Sequence, residues 1–103
     1  MMSQKVSEED VHEALETVMH PEIDASLIEL GMIKNFVMKQ DKIIVTLALP
    51  FLGVPIKDLL VNVIREELGR LKLEVDVRFT EMNQKQLQKF LSLEREKWKD
   101  VRL

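Results

Sequence analysis

Residues Lys42 to Leu49 read as a strand and a helical stripe begins at Ile56, yet the connection between them, Pro50-Phe51-Leu52-Gly53-Val54-Pro55, is almost wholly apolar. A βα connection is normally polar and lies on the surface, where function tends to concentrate. An apolar one must be buried, dock on a partner or line a pocket. Pro55 suits the first position of the following helix, where a missing N–H costs nothing. This stretch commits the chain to a strand–corner–helix unit, and the rest of the fold has to accommodate that corner.

The remaining elements follow from periodicity. Ser7, with Asp10 three residues on, has the form of a capping box, and Glu8, Glu9 and Asp10 suit the positive end of a helix. Val11, Ala14, Leu15 and Val18 then form one apolar stripe, and Pro21 predicts a helix end near Met19. Residues 21–31 read as irregular, with a helical turn at Leu27–Leu30. Ile33–Met38 and Lys42–Leu49 read as a hairpin turning at Gln40-Asp41. Ile43, Val45, Leu47 and Leu49 share one face of the second strand. Ile44, Thr46 and Ala48 share the other, which is polar enough only to suggest that both faces are covered.

A second helix is expected over 56–68, with Ile56, Leu59, Leu60, Val63 and Ile64 as its stripe and Gly69 as its stop. Leu73, Val75, Val77 and Phe79 alternate with Glu74, Asp76 and Arg78, which is a half-buried strand. Asn83 and Gln86 can cap a third helix over about 83–98, with Leu87, Phe90, Leu91 and Trp98 on its apolar side. The expected class is α/β (α+β), a small mixed sheet with helices packed on it in the order α-β-β-α-β-α. A chain of 103 residues makes one such domain.

Composition excludes several functions. With no cysteine, the chain has no disulfide, no thiolate ligand and no cysteine nucleophile. No apolar run reaches the roughly 20 residues that span a bilayer. The N-terminus lacks a signal-peptide core, so a cytoplasmic protein is expected. A net charge of −3 argues against nucleic-acid binding. The charge is uneven, with a net of −7 over residues 1–31 and +3 over residues 84–103. That pattern reads as solvated helix faces or as a surface for a charged partner.

Candidate chemistry is sparse. His12, Glu16 and His20 recur at helical spacing like metal ligands, but His20 falls at a fraying end and no further ligand is evident, so exposed helix residues are the better reading. The paired carboxylates Glu8/Glu9, Glu13/Glu16 and Glu66/Glu67 lack the apolar setting that acid–base work needs. No phosphate loop and no nucleophile–base pair is evident. Two segments remain, His20-Pro21-Glu22 and the corner at 50–55. An open N-terminus on helix 56–68 could receive an anion or a partner's acidic group. Alternatively Phe51, Leu52 and Val54 cap the core and the prolines stiffen the loop.

These segments, in this order, resemble the MIP18 family (domain of unknown function 59), associated with iron–sulfur cluster assembly. Val11–Val18 followed by His20-Pro21-Glu22 resembles the family's helix and Asp-Pro-Glu signature, with His in place of Asp. Leu27-Ile28-Glu29-Leu30-Gly31-Met32-Ile33 resembles its Ile-Val-Asp-Leu-Gly-Leu-Val segment. Val45–Asp58 resembles its Thr-x-Thr-x-Pro-x-Cys-Pro stretch, and the resemblance covers about residues 8–80. The family's loop cysteine falls on Val54, which can neither coordinate iron nor relay persulfide.

The resemblance implies a non-enzymatic accessory or adaptor protein of iron–sulfur (metal–sulfur) cluster assembly, with no cofactor of its own. Its partners would be assembly proteins or a cluster-carrier ATPase. The docking residues would be His20, Glu22, Pro50, Phe51, Leu52, Gly53, Val54 and Pro55. Two alternatives stand beside it. One is an auxiliary subunit or regulator of a multicomponent metabolic enzyme, as in the phenylacetyl-CoA oxygenase system. The other is a cluster or metal carrier using non-cysteine ligands. Apolar residues on both hairpin faces also leave room for a homodimer.

Overall fold

The strand expected at 42–49 forms as β2 (Lys42–Leu49) and takes the centre of a three-stranded sheet. The structure is a computed structural model that describes residues 6–98. β1 (Ile33–Met38) pairs with β2 antiparallel, and the Lys39 N–H closes the turn on the Lys42 carbonyl at 2.8 Å. β3 (Glu74–Glu81) pairs with the other edge of β2 in parallel, with Ile43 opposite Val75 and Leu47 opposite Phe79. Between Ile33 and Asn35 the register shifts by one residue, so Lys34 sits in a bulge.

Of the two faces of β2, the one carrying Ile43 is the core face. Ile43, Val45, Leu47 and Leu49 are fully buried, and each such side chain contributes about 1.5–3 kcal/mol. The opposite face departs from expectation. Ala48 is buried there, but Ile44 and Thr46 are half-buried and Val37 is 51% exposed. Cover is therefore confined to the Ala48 end.

Two helices pack together over the sheet, α1 (Glu8–Glu16) and α2 (Lys57–Gly69). The Ser7–Asp10 capping box forms in both directions at 3.1 Å, and Val11 and Leu15 carry the buried stripe. α1 ends at Glu16 rather than near Met19. The Thr17 hydroxyl donates to the Ala14 carbonyl at 2.7 Å and closes the last turn early. In α2 the buried residues are Leu60, Ile64 and Leu68, while Leu59 is half exposed. The stripe runs one turn further along the helix than the sequence suggested. Gly69 is the last helical residue and not the left-handed stop. That conformation falls to Lys72, at φ 62°.

The segment between α1 and β1 is irregular but tightly bonded. Met19 and Ser26 form a bridge, the His20 N–H donates to the Ala25 carbonyl at 3.0 Å, and the Leu27 N–H to the Val18 carbonyl at 2.9 Å. The imidazole of His20 fills the loop so formed and is 3% exposed. Its Nδ1 accepts the backbone N–H groups of Glu22 at 2.9 Å and Ile23 at 3.1 Å. Nδ1 lies the same number of bonds from Cα as an Asp or Asn side-chain oxygen. The histidine therefore makes the contacts of an Asx-turn.

One helical turn follows at Leu27–Leu30, as expected, with Ser26 Oγ accepting the Glu29 N–H at 3.0 Å. Gly31 ends it at φ +77°. The Met32 N–H reaches the Leu27 carbonyl at 2.9 Å and the Gly31 N–H reaches the Ile28 carbonyl at 3.0 Å, which is a Schellman motif. The Ala48 N–H then donates to the Met32 carbonyl at 2.6 Å, tying this segment to β2.

α3 (Gln84–Lys97) begins at the Asn83–Gln86 capping box, with bonds of 2.9 and 2.8 Å, and buries Phe90. Leu87 and Leu93 are half-buried beside it, whereas Leu91 is 41% exposed. Trp98 is not on the helix. It is extended and bridges Ile23, while the Asp24 N–H donates to the Lys97 carbonyl at 2.8 Å and Lys97 Nζ lies 3.7 Å from Glu29. Among the described residues no helix is long and apolar enough to cross a membrane.

Two substitutions test this local chemistry by urea unfolding. Gly31→Ala adds a Cβ that meets no atom within 4 Å, so its cost is backbone strain alone, about 1–2 kcal/mol. His20→Ala leaves the Glu22 and Ile23 N–H groups without their acceptor and is expected to cost about 2–3 kcal/mol, because the second of them is buried. His20→Asn restores an acceptor at the same position and should recover most of that loss. Equal destabilisation by Ala and Asn would show that the acceptor is not what matters.

Candidate functional site

β2 ends at Leu49 and the chain turns through the apolar corner in two steps. The Phe51 carbonyl accepts the Val54 N–H at 3.3 Å, and the Val54 carbonyl accepts the Lys57 N–H at 3.2 Å. The second turn places Ile56 at the N-cap of α2, so Pro55 precedes the helix by two residues instead of opening it. Ile56 supplies no side-chain acceptor to the first turn. Lys57 turns away, its ammonium 4.7 Å from the centre of the Phe79 ring.

This corner and the His20–Glu22 turn face each other across a cleft of 310 Å³. Of the residues singled out from sequence, His20, Glu22, Pro50, Phe51, Val54 and Pro55 line it. Leu52 and Gly53 do not. They form the outer tip of the loop, where Leu52 is 50% exposed. Phe51 lines the cleft yet keeps 54% of its surface open, so its ring stands at the rim.

Sequence reasoning missed the far walls. Met32 and Leu60 contribute apolar surface from the Schellman turn and from α2, and Phe90, Glu94 and Trp98 close the α3 side. Periodicity could nominate Leu60 and Phe90 as core residues. Nothing local predicts that Trp98 leaves the helix and arrives beside Ile23.

The donor set limits the chemistry. Among the described residues the ionisable side chains lining the cleft are His20, Glu22 and Glu94. The Nδ1 of His20 is committed to two backbone N–H groups. Val54, half-buried against the core, occupies the position where the resemblance puts a thiol. Iron–sulfur clusters are held mainly by thiolates, so these residues do not fit cluster ligation at the corner.

The helical-spacing trio is also not assembled. His12 Nε2 lies 3.1 Å from Glu16 on the exposed face of α1, while His20 is buried in the turn beyond the helix end. Among the described residues no group of three or more His, Cys, Asp or Glu side chains is placed to hold a metal ion.

The fold and the match along the chain point the same way. A solved structure of a domain of unknown function, DUF59, from Bacillus anthracis is similar to this chain with a TM-score of 0.67 and 17% identity, over 84% of this chain and 90% of that one. At that identity the likeness shows the fold alone. No curated protein matches the chain. Residues 8–79 match the family described as "Iron-sulfur cluster assembly protein", which covers both segments of the cleft described above. The chain therefore belongs to the iron–sulfur cluster assembly protein family, the family of the domain of unknown function 59.

Proposed function

We propose that this protein is a non-enzymatic adaptor of iron–sulfur cluster assembly that works by docking another assembly protein in the cleft between the His20–Glu22 turn and the 50–55 corner. One observation carries the reading. Two segments far apart in the chain converge on one apolar cleft whose rim holds large exposed apolar side chains, Phe51 at 54% and Trp98 at 47%. Exposed Phe and Trp side chains are enriched at protein interfaces relative to the rest of the surface. Scattered single apolar residues need no explanation, but several around one concavity do.

The cluster, in this reading, is cargo carried by the partner. Val54 gives the corner shape without a thiolate, and the prolines at 50 and 55 limit the chain entropy lost on docking. The His20 turn contributes by fixing the wall opposite, through its bonds to Glu22 and Ile23. The chain's task is to hold and orient, and no bond-making step is assigned to it.

Affinity capture from the native cell tests the reading, with wild type and Phe51→Asp compared by quantitative mass spectrometry. Wild type should retain cluster-assembly or cluster-containing proteins. The variant should retain at least about tenfold less, the loss of a single anchor residue. Phe51 is more than half exposed, so circular dichroism should show the variant folded. Partners that survive Phe51→Asp would remove the cleft from the mechanism. Stoichiometric capture of an oxygenase or other metabolic enzyme, with no assembly protein, would replace this reading with that of an auxiliary subunit.

A further inference from the structure

We infer that the partner enters the cleft with an apolar side chain flanked by Lys or Arg, so that its cations meet Glu22 and Glu94. The inference rests on the docking reading above and specifies its chemistry.

Glu22 stands on the His20 turn and Glu94 on α3, and both line the cleft. Among the described residues neither carboxylate has a Lys, Arg or His within ion-pair distance. Glu94 is half-buried against apolar neighbours. Glu22 is exposed at the mouth, and an incoming cation between the two meets both carboxylates. Lys97, one turn along α3, is turned to Glu29 and does not serve.

The competing charge is the N-terminus of α2, which would favour an acidic partner. Its dipole amounts to roughly half a unit of positive charge. Asp58 in the first turn offsets it. Lys57, the nearest full cation on that element, is drawn to Phe79. Among the described lining residues the full charges are therefore the two carboxylates, against roughly half a positive charge from the helix end. The walls between the two acids are apolar, from Met32, Leu60 and Phe90. A cation alone would leave that surface wet, and an apolar side chain alone would leave the acids unpaired. A basic–apolar–basic segment satisfies both.

Trp98 is the only tryptophan of the chain and lines the cleft, so its fluorescence reports occupancy. The probes are acetylated, amidated pentapeptides titrated into the full chain: Ala-Lys-Leu-Arg-Ala, its acidic counterpart Ala-Glu-Leu-Asp-Ala, and Ala-Lys-Gly-Arg-Ala. The basic apolar peptide should bind at least about tenfold more tightly than either of the others. That preference over the acidic peptide should collapse towards unity in Glu22→Gln/Glu94→Gln and in 1 M NaCl, where the screening length falls to about 3 Å. Glutamine keeps the size of each side chain, so folding is preserved, and an unchanged thermal midpoint confirms it.

Equal or tighter binding of the acidic peptide overturns the inference and assigns the cleft to the α2 N-terminus. A preference that survives the double glutamine variant overturns the assignment to Glu22 and Glu94. The docking reading is tested separately, by Phe51→Asp. If Phe51→Asp loses assembly partners while Glu22→Gln/Glu94→Gln keeps them, the cleft docks a partner but not by this chemistry.

Discussion

β2 is the strand on which the molecule is organised, because both of its edges are hydrogen-bonded and its core face has no access to water. A strand in that position cannot slip by one residue without turning four buried aliphatic side chains out of the core. Its register is therefore fixed, and so is the point where it ends. The corner at 50–55 leaves from that end, the Met82 N–H returns to the Leu49 carbonyl at 2.8 Å, and the Met32 carbonyl reaches back to Ala48. The parts of the cleft are held in place by one rigid element, which is what a binding site on loops requires.

The second wall depends on His20. A turn that must present Glu22 while burying Ile23 needs an acceptor for two successive N–H groups. In the family pattern that resembles this segment an aspartate stands there. The structure explains how a histidine serves instead, since Nδ1 reaches the position a carboxylate oxygen would take. The substitution changes the charge of the buried group and keeps the hydrogen-bond pattern. It also commits Nδ1 to the turn rather than to a metal.

Much of the fold was legible because its signals are local. Both capping boxes, the hairpin turn, the single helical turn ending at Gly31 and the alternation of β2 and β3 depend on residues within a few positions of one another. Legibility failed where a competing contact overrode the expected signal. Thr17 ends α1 through its own bond to Ala14 before the proline is reached, and Leu59 and Leu91 face solvent although they sit within apolar stripes. Trp98 leaves the helical pattern because the backbone of Ile23 offers an extended bridge in place of another helical turn.

The sequence by itself determined the order of elements, the alternation of the strands, the family resemblance and the presence of an apolar corner with valine where a thiol would stand. Each of these is written in periodicity, turn chemistry or a short ordered motif. Only the tertiary structure decided that the corner and the His20 turn share a cleft, that α3 and Trp98 close it, and that Glu22 and Glu94 flank it with no ion pair among the described residues. Those facts arise from packing between segments remote in the chain, and no periodicity records which remote segments meet.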